Sequence, residues 1–340
     1  MIIKALNYLV YLFARGFFAL GKILPMEPTF RFYRGVGIIA YYLFRGRRKI
    51  AMRNLEIAFG REKSLEERKR ICKMAFINAS YAVGELMFFD RICTNWRKHF
   101  TFEGDEMIDE CIRKKQGFFV FGGHLGGWMM IAMVPQRFGV QGGVVIRPQR
   151  NPYIDRFLRN LVAKYNGIMI NTRGTGKLIE KMILDGKLVG FYMDQESRRK
   201  QGIQVDFFGL PAWSHVVPGY LAWKHRIPMF PFWIIRKKPG YFHAIFRKPI
   251  EFTYSGDKEK DVREVTQRIV KEVECAIREY PEQWFWVHNR WRRTLGEVRK
   301  ERRWRRKLIE KGEYMTSAQV LKLMDEEIGE RKDERKTGAG

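Results

Sequence analysis

The segment Gly117-Phe118-Phe119-Val120-Phe121-Gly122-Gly123-His124-Leu125-Gly126-Gly127-Trp128-Met129 places a histidine in a glycine-rich turn directly after an apolar run. The run has the length and the aromatic and β-branched content of a buried strand. The glycines would let the backbone approach a ligand closely, and the amides that open the next helix could bind an oxyanion or phosphate. His124 can act as a general base near neutral pH, whereas the alternative is an ordinary core histidine in a tight turn.

Short β-rich runs alternate with helical patterns from this segment onward. The predicted strands are Gly117 to Phe121, Gly143 to Ile146, Ile168 to Asn171 and Leu188 to Met193. The predicted helices begin at Trp128 and run from Pro152 to Tyr165 and from Gly176 to Leu184. This alternation predicts an α/β fold with a mixed, largely parallel central sheet flanked by helices. Ligands of such sheets bind beyond the carboxyl ends of the strands, which is where His124 falls.

Two further strands are predicted at one side of the sheet, Pro228 to Arg236 and Tyr241 to Phe246. The intervening Lys237-Lys238-Pro239-Gly240 is typical of a hairpin turn. Longer helical patterns cover Glu62 to Phe89 and Asp261 to Tyr280. We expect the first of these helices to be scaffold.

The N-terminal region is an apolar helix whose sequence is interrupted by charge. The block Ala5 to Leu24 is flanked or broken by Lys4, Arg15 and Lys22, and a central arginine costs about 2.5–3.5 kcal/mol on membrane insertion. We therefore expect a membrane-associated helix that lies in the interface or enters one leaflet, the alternative being a soluble helix that caps the core. No cleaved signal peptide is predicted. The predicted division is 1–45, a membrane-associated helical region; 46–295, the α/β domain; and 296–340, a basic helical tail with a disordered end.

The chain is strongly basic. It carries 64 Lys and Arg against 37 Asp and Glu, a formal net charge of +27, which favours an anionic membrane surface or nucleic acid as partner. The tract Arg290 to Lys311, with Trp304 within it, could bind either. The apolar N-terminus and the lack of a nucleic-acid-binding motif in the sequence favour the membrane, so no nucleic acid is expected. Four scattered cysteines and histidines without ligand spacing predict no metal site, and no bound cofactor is predicted.

The motifs resemble, in order, those of the lipid A biosynthesis late acyltransferase family, a branch of the histidine-x4-acidic acyltransferases. The matching segments are Gly123-His124-Leu125-Gly126-Gly127-Trp128, Arg147-Pro148 with Asn151-Pro152, Asp194-Gln195, Val205-Asp206-Phe207-Phe208-Gly209, and Pro281-Glu282-Gln283-Trp284-Phe285-Trp286-Val287-His288-Asn289-Arg290-Trp291. They extend over most of the chain. Each is weak alone, but the ordered set is specific.

The resemblance implies an enzyme of the bacterial inner membrane whose active site faces the cytoplasm. Such an enzyme moves a fatty acyl chain from an acyl-carrier-protein or coenzyme A thioester, its co-substrate, onto a hydroxyl of a glycolipid such as a lipid A precursor. His124 would take the hydroxyl proton without a covalent enzyme intermediate. The residues expected to bind substrate are Gly123, Gly126, Gly127, Arg147, Arg173 and Gln195.

The sequence departs from the family pattern where an acidic residue should follow the histidine. Met129 occupies that position, and a thioether carries no charge to orient an imidazole. Asp194 and Glu196 follow the strand Leu188 to Met193, and parallel strands end on the same side, so either could replace the missing acid. The alternatives are that His124 works alone more slowly, or that the chain is a catalytically silent homologue that binds acylated lipid or carrier.

Overall fold

The computed structural model describes residues 2–172, 174, 176–296 and 299, and its core is a seven-stranded sheet. The strands are β1 (Phe100–Glu103), β2 (Phe118–Gly122), β3 (Gly142–Ile146), β4 (Gly167–Asn171), β5 (Leu188–Tyr192), β6 (Gly202–Phe207), β7 (Leu210–His215), β8 (Met229–Lys238) and β9 (Tyr241–Phe246). The sheet order is β1-β9-β8-β2-β5-β3-β4, and the only antiparallel neighbours in it are β8 and β9. The predicted mixed, largely parallel sheet is confirmed.

The strands form where the sequence supplies apolar side chains for both faces. β2 lies between β8 and β5, and all five of its residues are buried, so a continuous apolar run replaces the alternation of a half-exposed strand. The predicted β8–β9 hairpin is confirmed, with Gly240 at φ +77° in its turn.

Three strands were not predicted. β1 adds to the sheet edge in parallel with β9. β6 and β7 form a separate antiparallel pair, in which Phe208 and Gly209 occupy the turn with φ of +56° and +73°. Two positive φ values in succession match the hairpin turn that follows the right-handed twist of the strands.

The helices surround this sheet. They are α1 (Ile2–Ile23), α2 (Met26–Leu43), α3 (Arg45–Phe59), α4 (Leu65–Met87), α5 (Phe89–Thr94), α6 (Trp96–His99), α7 (Glu106–Arg113), α8 (Val134–Phe138), α9 (Pro152–Ala163), α10 (Gly176–Leu184), α11 (Val217–His225) and α12 (Lys258–Glu279). Ser64 and Glu67 form a reciprocal capping box that begins α4. The helix predicted from Trp128 begins differently. Its first six residues, Trp128–Met133, form a 3-10 helix, and α-helical geometry begins only with α8.

Helix α1 is long and apolar enough to cross a membrane, yet it packs against the protein near both ends. The Asn151 side chain donates to the Asn7 carbonyl at 2.7 Å, and Arg91 donates to the Leu24 carbonyl at 3.0 Å. The outward face is apolar and exposed, with Phe13 at 81%. The helix therefore lies along the protein and presents a lipid-compatible face.

The compact unit that contains the sheet extends to Arg290, and a second unit begins at Trp291. The predicted basic tail, 296–340, lies almost entirely outside the described residues.

Candidate active site

His124 and Asp194 form a hydrogen-bonded pair at the carboxyl ends of two adjacent parallel strands. His124 lies two residues beyond β2, and Asp194 lies two residues beyond β5. The His124 Nδ1 atom is 2.8 Å from Asp194 Oδ1, and the His124 backbone N–H donates to Asp194 Oδ2 at 2.9 Å. The carboxylate that contacts the imidazole is therefore that of Asp194.

Asp194 is held ionised although its side chain is only 2% exposed. Burial by itself would raise the pKa of this carboxyl group, but the charge and hydrogen bonds of His124, with a hydrogen bond from Trp284, lower its pKa to about 2. The Trp284 indole N–H donates to Oδ2 at 2.8 Å. An ionised acceptor at Nδ1 keeps the neutral imidazole's proton on that nitrogen, which leaves the Nε2 lone pair for a substrate.

The imidazole is enclosed by rings and by one amide. The Trp128 and Tyr192 ring centroids each lie 4.6 Å from that of His124, and the Tyr192 hydroxyl donates to the Trp128 carbonyl at 2.5 Å. The Gln195 side-chain nitrogen is 3.1 Å from Nε2 and 3.3 Å from Nδ1. Since it is almost equally far from both ring nitrogens, this amide lies over the imidazole rather than along either lone pair. The predicted residue Gln195 is thus brought to the site.

The glycines of the turn allow close packing, and two of their amides are already hydrogen-bonded within the protein. Gly126 adopts φ +57°, and its N–H donates to a carbonyl of the C-terminal segment at 3.1 Å. The Gly127 N–H donates to a β8 carbonyl at 2.7 Å. A Cβ on Gly123 would lie 3.3 Å from the Asp194 side chain. The amides of Gly126 and Gly127 are therefore occupied within the protein, and Gly123 lies close to Asp194. Substrate binding by these glycines stays a prediction.

A buried ion pair behind the turn was not predicted from the sequence. Arg236 Nη2 donates to the Gly126 carbonyl at 2.8 Å and to Glu85 Oε2 at 2.6 Å. The Arg236 and Glu85 side chains are 3% and 0% exposed, and the Asn78 side chain accepts from Arg236 Nη1 at 2.6 Å. The guanidinium thus joins helix α4 to the backbone of the turn that carries His124.

The other residues predicted from the sequence are Met129, at the position of the family's acid, with Glu196, Arg147 and Arg173. Met129 packs against the hydrophobic core, so the family's acidic position points its side chain into apolar surroundings here. Burial lowers the pKa of Arg290 to about 10, although the charges of Asp194 and Glu196 act to raise it. Arg147 is exposed in the loop after β3, and Arg173 lies outside the described residues.

A cavity of about 480 Å³ lies at the carboxyl ends of β3, β4 and β5. Its lining includes Val145, Thr172, Gly174, Tyr192, Met193 and His215. The volume lies within the range of small-molecule sites, and the wall shares Tyr192 with the surroundings of His124.

Comparison with known proteins gives the same family that the sequence motifs resemble. Residues 3–293 match the family model described as bacterial lipid A biosynthesis acyltransferase. The lipid A biosynthesis lauroyltransferase of Escherichia coli strain K12 is 26% identical over 276 residues, which cover 79% of this chain and 87% of that protein. The lipid A biosynthesis palmitoleoyltransferase of the same strain and the lipid A biosynthesis acyltransferase of Shigella flexneri are each 26% identical over 273 residues, 77% of this chain and 84% of theirs.

Proposed function

Because the chain belongs to the bacterial lipid A biosynthesis acyltransferase family, we propose that it transfers a fatty acyl chain from a thioester to a hydroxyl of a glycolipid such as a lipid A precursor. The donor would be an acyl-carrier-protein or coenzyme A thioester. The observation that carries the proposal is the 2.8 Å contact between His124 Nδ1 and Asp194 Oδ1, which supplies the carboxylate that Met129 does not.

The proposed reaction begins when His124 Nε2 accepts the proton of the acceptor hydroxyl while its oxygen attacks the thioester carbonyl carbon. Asp194 stabilises the imidazolium that forms. When the tetrahedral intermediate collapses, the C–S bond breaks and the imidazolium returns its proton to the leaving thiolate. The products are an ester and a free thiol, and no covalent bond to the enzyme is formed. The cavity beyond β3, β4 and β5, which shares Tyr192 with the surroundings of His124, would hold part of a substrate. Arg147 and Arg173 remain the predicted ligands of phosphates of the donor or acceptor.

The test of this proposal is acyl transfer by wild type and His124→Ala. Each detergent-solubilised protein would be incubated with acyl-carrier-protein and coenzyme A thioesters and a mixed lipid extract, and acylated lipids followed by mass spectrometry. We expect product from wild type and a loss of at least about 100-fold in His124→Ala, since a general base is removed.

His243→Ala is the matched control, because His243 is paired with Glu103 in the β1–β9 part of the sheet. It should keep wild-type activity. A folded wild type that forms no product from either thioester, yet retains bound lipid, would instead support a silent lipid-binding homologue.

We also propose that α1 lies in one leaflet of the bacterial inner membrane, with the active site on the cytoplasmic side. Contacts at Asn7 and Leu24 tie both ends of the helix to the protein, while Leu9 and Phe13 are 53% and 81% exposed. Basic residues beside such a face would also favour an anionic lipid surface.

Cosedimentation with anionic phospholipid vesicles tests this placement. Leu9→Glu with Phe13→Glu should lower vesicle partitioning about tenfold or more, since two apolar side chains are replaced by anions. The control Leu184→Glu alters a side chain that is 66% exposed on α10 and should bind vesicles like wild type. Equal sedimentation of all three proteins would refute the proposed orientation.

A further inference from the structure

The C-terminal residues 283 to 285 lie against the catalytic turn at three successive positions. The Gly126 N–H donates to the Gln283 carbonyl at 3.1 Å, and the Phe285 N–H donates to the His124 carbonyl at 3.1 Å. Between these bonds, Leu125 and Trp284 pair as an antiparallel bridge. The backbone that carries His124 is therefore fixed by a segment that is distant in sequence.

The side chain of Trp284 extends the same contact to the acid. It is 1% exposed, and its indole N–H and the His124 backbone N–H donate to the same Asp194 oxygen, Oδ2, at 2.8 and 2.9 Å. Two donors on Oδ2 restrict rotation of the carboxylate, so Oδ1 faces the imidazole. An indole N–H can only donate, so it favours the ionised carboxylate, which is the stronger acceptor.

We propose that Trp284 is a positioning residue for acyl transfer, whose indole N–H holds the Asp194 carboxylate in the orientation that presents Oδ1 to His124 Nδ1. The inference rests on the proposed function for its kinetic consequence. Trp284 acts through Asp194 and touches no substrate. The orientation of Asp194, which follows β5, is thus fixed by Trp284 of the C-terminal segment.

The chain offers a matched control in Trp286. This residue is 0% exposed, its ring centroid is 4.5 Å from that of Trp284, and its indole N–H donates to the Pro281 carbonyl at 2.7 Å. Trp284→Phe and Trp286→Phe each remove one buried N–H donor and leave an aromatic ring. Only the first removes a donor to the acid.

The kinetic experiment compares the two variants with wild type. For Trp284→Phe we expect kcat to fall about 10- to 100-fold with KM unchanged, because misorientation of a catalytic pair affects the chemical step rather than substrate binding. Trp286→Phe should lower the melting temperature by about as much as Trp284→Phe does, while its kcat stays close to that of wild type. Equal kcat losses in the two variants would show that Trp284 is only a packing residue.

A second measurement does not depend on turnover. Nitrogen NMR of protein labelled with [15N]histidine reports which ring nitrogen of His124 carries the proton, and His124→Gln assigns the signal. Wild type and Trp286→Phe should show the Nδ1–H form, whereas Trp284→Phe should show a mixture of both forms. An unchanged Nδ1–H signal in Trp284→Phe would overturn the inference. An inactive wild type with the expected spectra would refute the proposed function alone.

Discussion

Asp194→Asn is expected to lower the rate of acyl transfer about 10⁴-fold, as the loss of an orienting aspartate does in histidine-dependent catalysis. The side-chain amide of an asparagine cannot accept hydrogen bonds both from the His124 imidazole and from the two N–H donors on the other carboxylate oxygen. If its oxygen accepts from the His124 backbone and Trp284, its NH₂ group faces Nδ1 and forces the imidazole proton onto Nε2. The lone pair that should accept the hydroxyl proton is then lost.

The control for this variant is Glu196→Gln, since Glu196 was the other sequence candidate for the acid. Its activity should stay far above that of Asp194→Asn. Steady-state kinetics with one thioester and one acceptor decide the comparison. If Glu196→Gln falls as far as Asp194→Asn, or if Asp194→Asn retains activity, the assignment of the acid is wrong.

The low pKa of Asp194 determines whether this residue can cause a loss of activity at acidic pH. Partners in the folded state hold this pKa at about 2, below the ordinary value of 3.8. At pH values above the ordinary pKa, the ionised Asp194 carboxylate therefore stabilises the folded state. This stabilisation is lost as the pH falls through the pKa of the folded state. Any decline of activity that begins above about pH 4 must come from another group, because Asp194 is still ionised there.

The sequence predicted the parts of this molecule whose causes are local. β2 and β5 are recognisable because strands buried on both faces need uninterrupted apolar residues, and α4 because Ser64 and Glu67 mark its first turn. Parallel strands end at one edge, which is why Asp194 could be named as a replacement for the acid. β1 escaped prediction because Phe100–Glu103 has only four residues, with an exposed threonine and glutamate.

Contacts between distant parts of the chain could not be predicted in the same way. Trp284 reaches Asp194 over 90 positions, and Arg236 reaches Glu85 over 151. Neither pair leaves a periodic pattern. The carbonyl partners of the Gly126 and Gly127 amides could not be predicted for a related reason, because a glycine-rich turn resembles a ligand site whether its donors face a substrate or a neighbouring carbonyl.

The Glu85–Arg236 pair provides the largest expected effect on stability. Glu85→Gln should lower the free energy of unfolding by about 3–5 kcal/mol, because it leaves the guanidinium charge buried and uncompensated. Chemical denaturation followed by tryptophan fluorescence measures this change. Glu110→Gln is the control, since the Glu110–Lys114 pair on α7 is exposed and its loss should leave the unfolding midpoint unchanged.

Replacement of both partners separates stability from positioning. Glu85→Leu with Arg236→Met removes both buried charges together, so much of the stability lost in Glu85→Gln should return. Acyl transfer should be impaired in this double variant, because the Gly126 carbonyl loses the donor that Arg236 supplies at 2.8 Å. Recovery of both stability and activity would mean that the ion pair only fills the core. Recovery of stability alone would identify Arg236 as a support for the turn that carries His124.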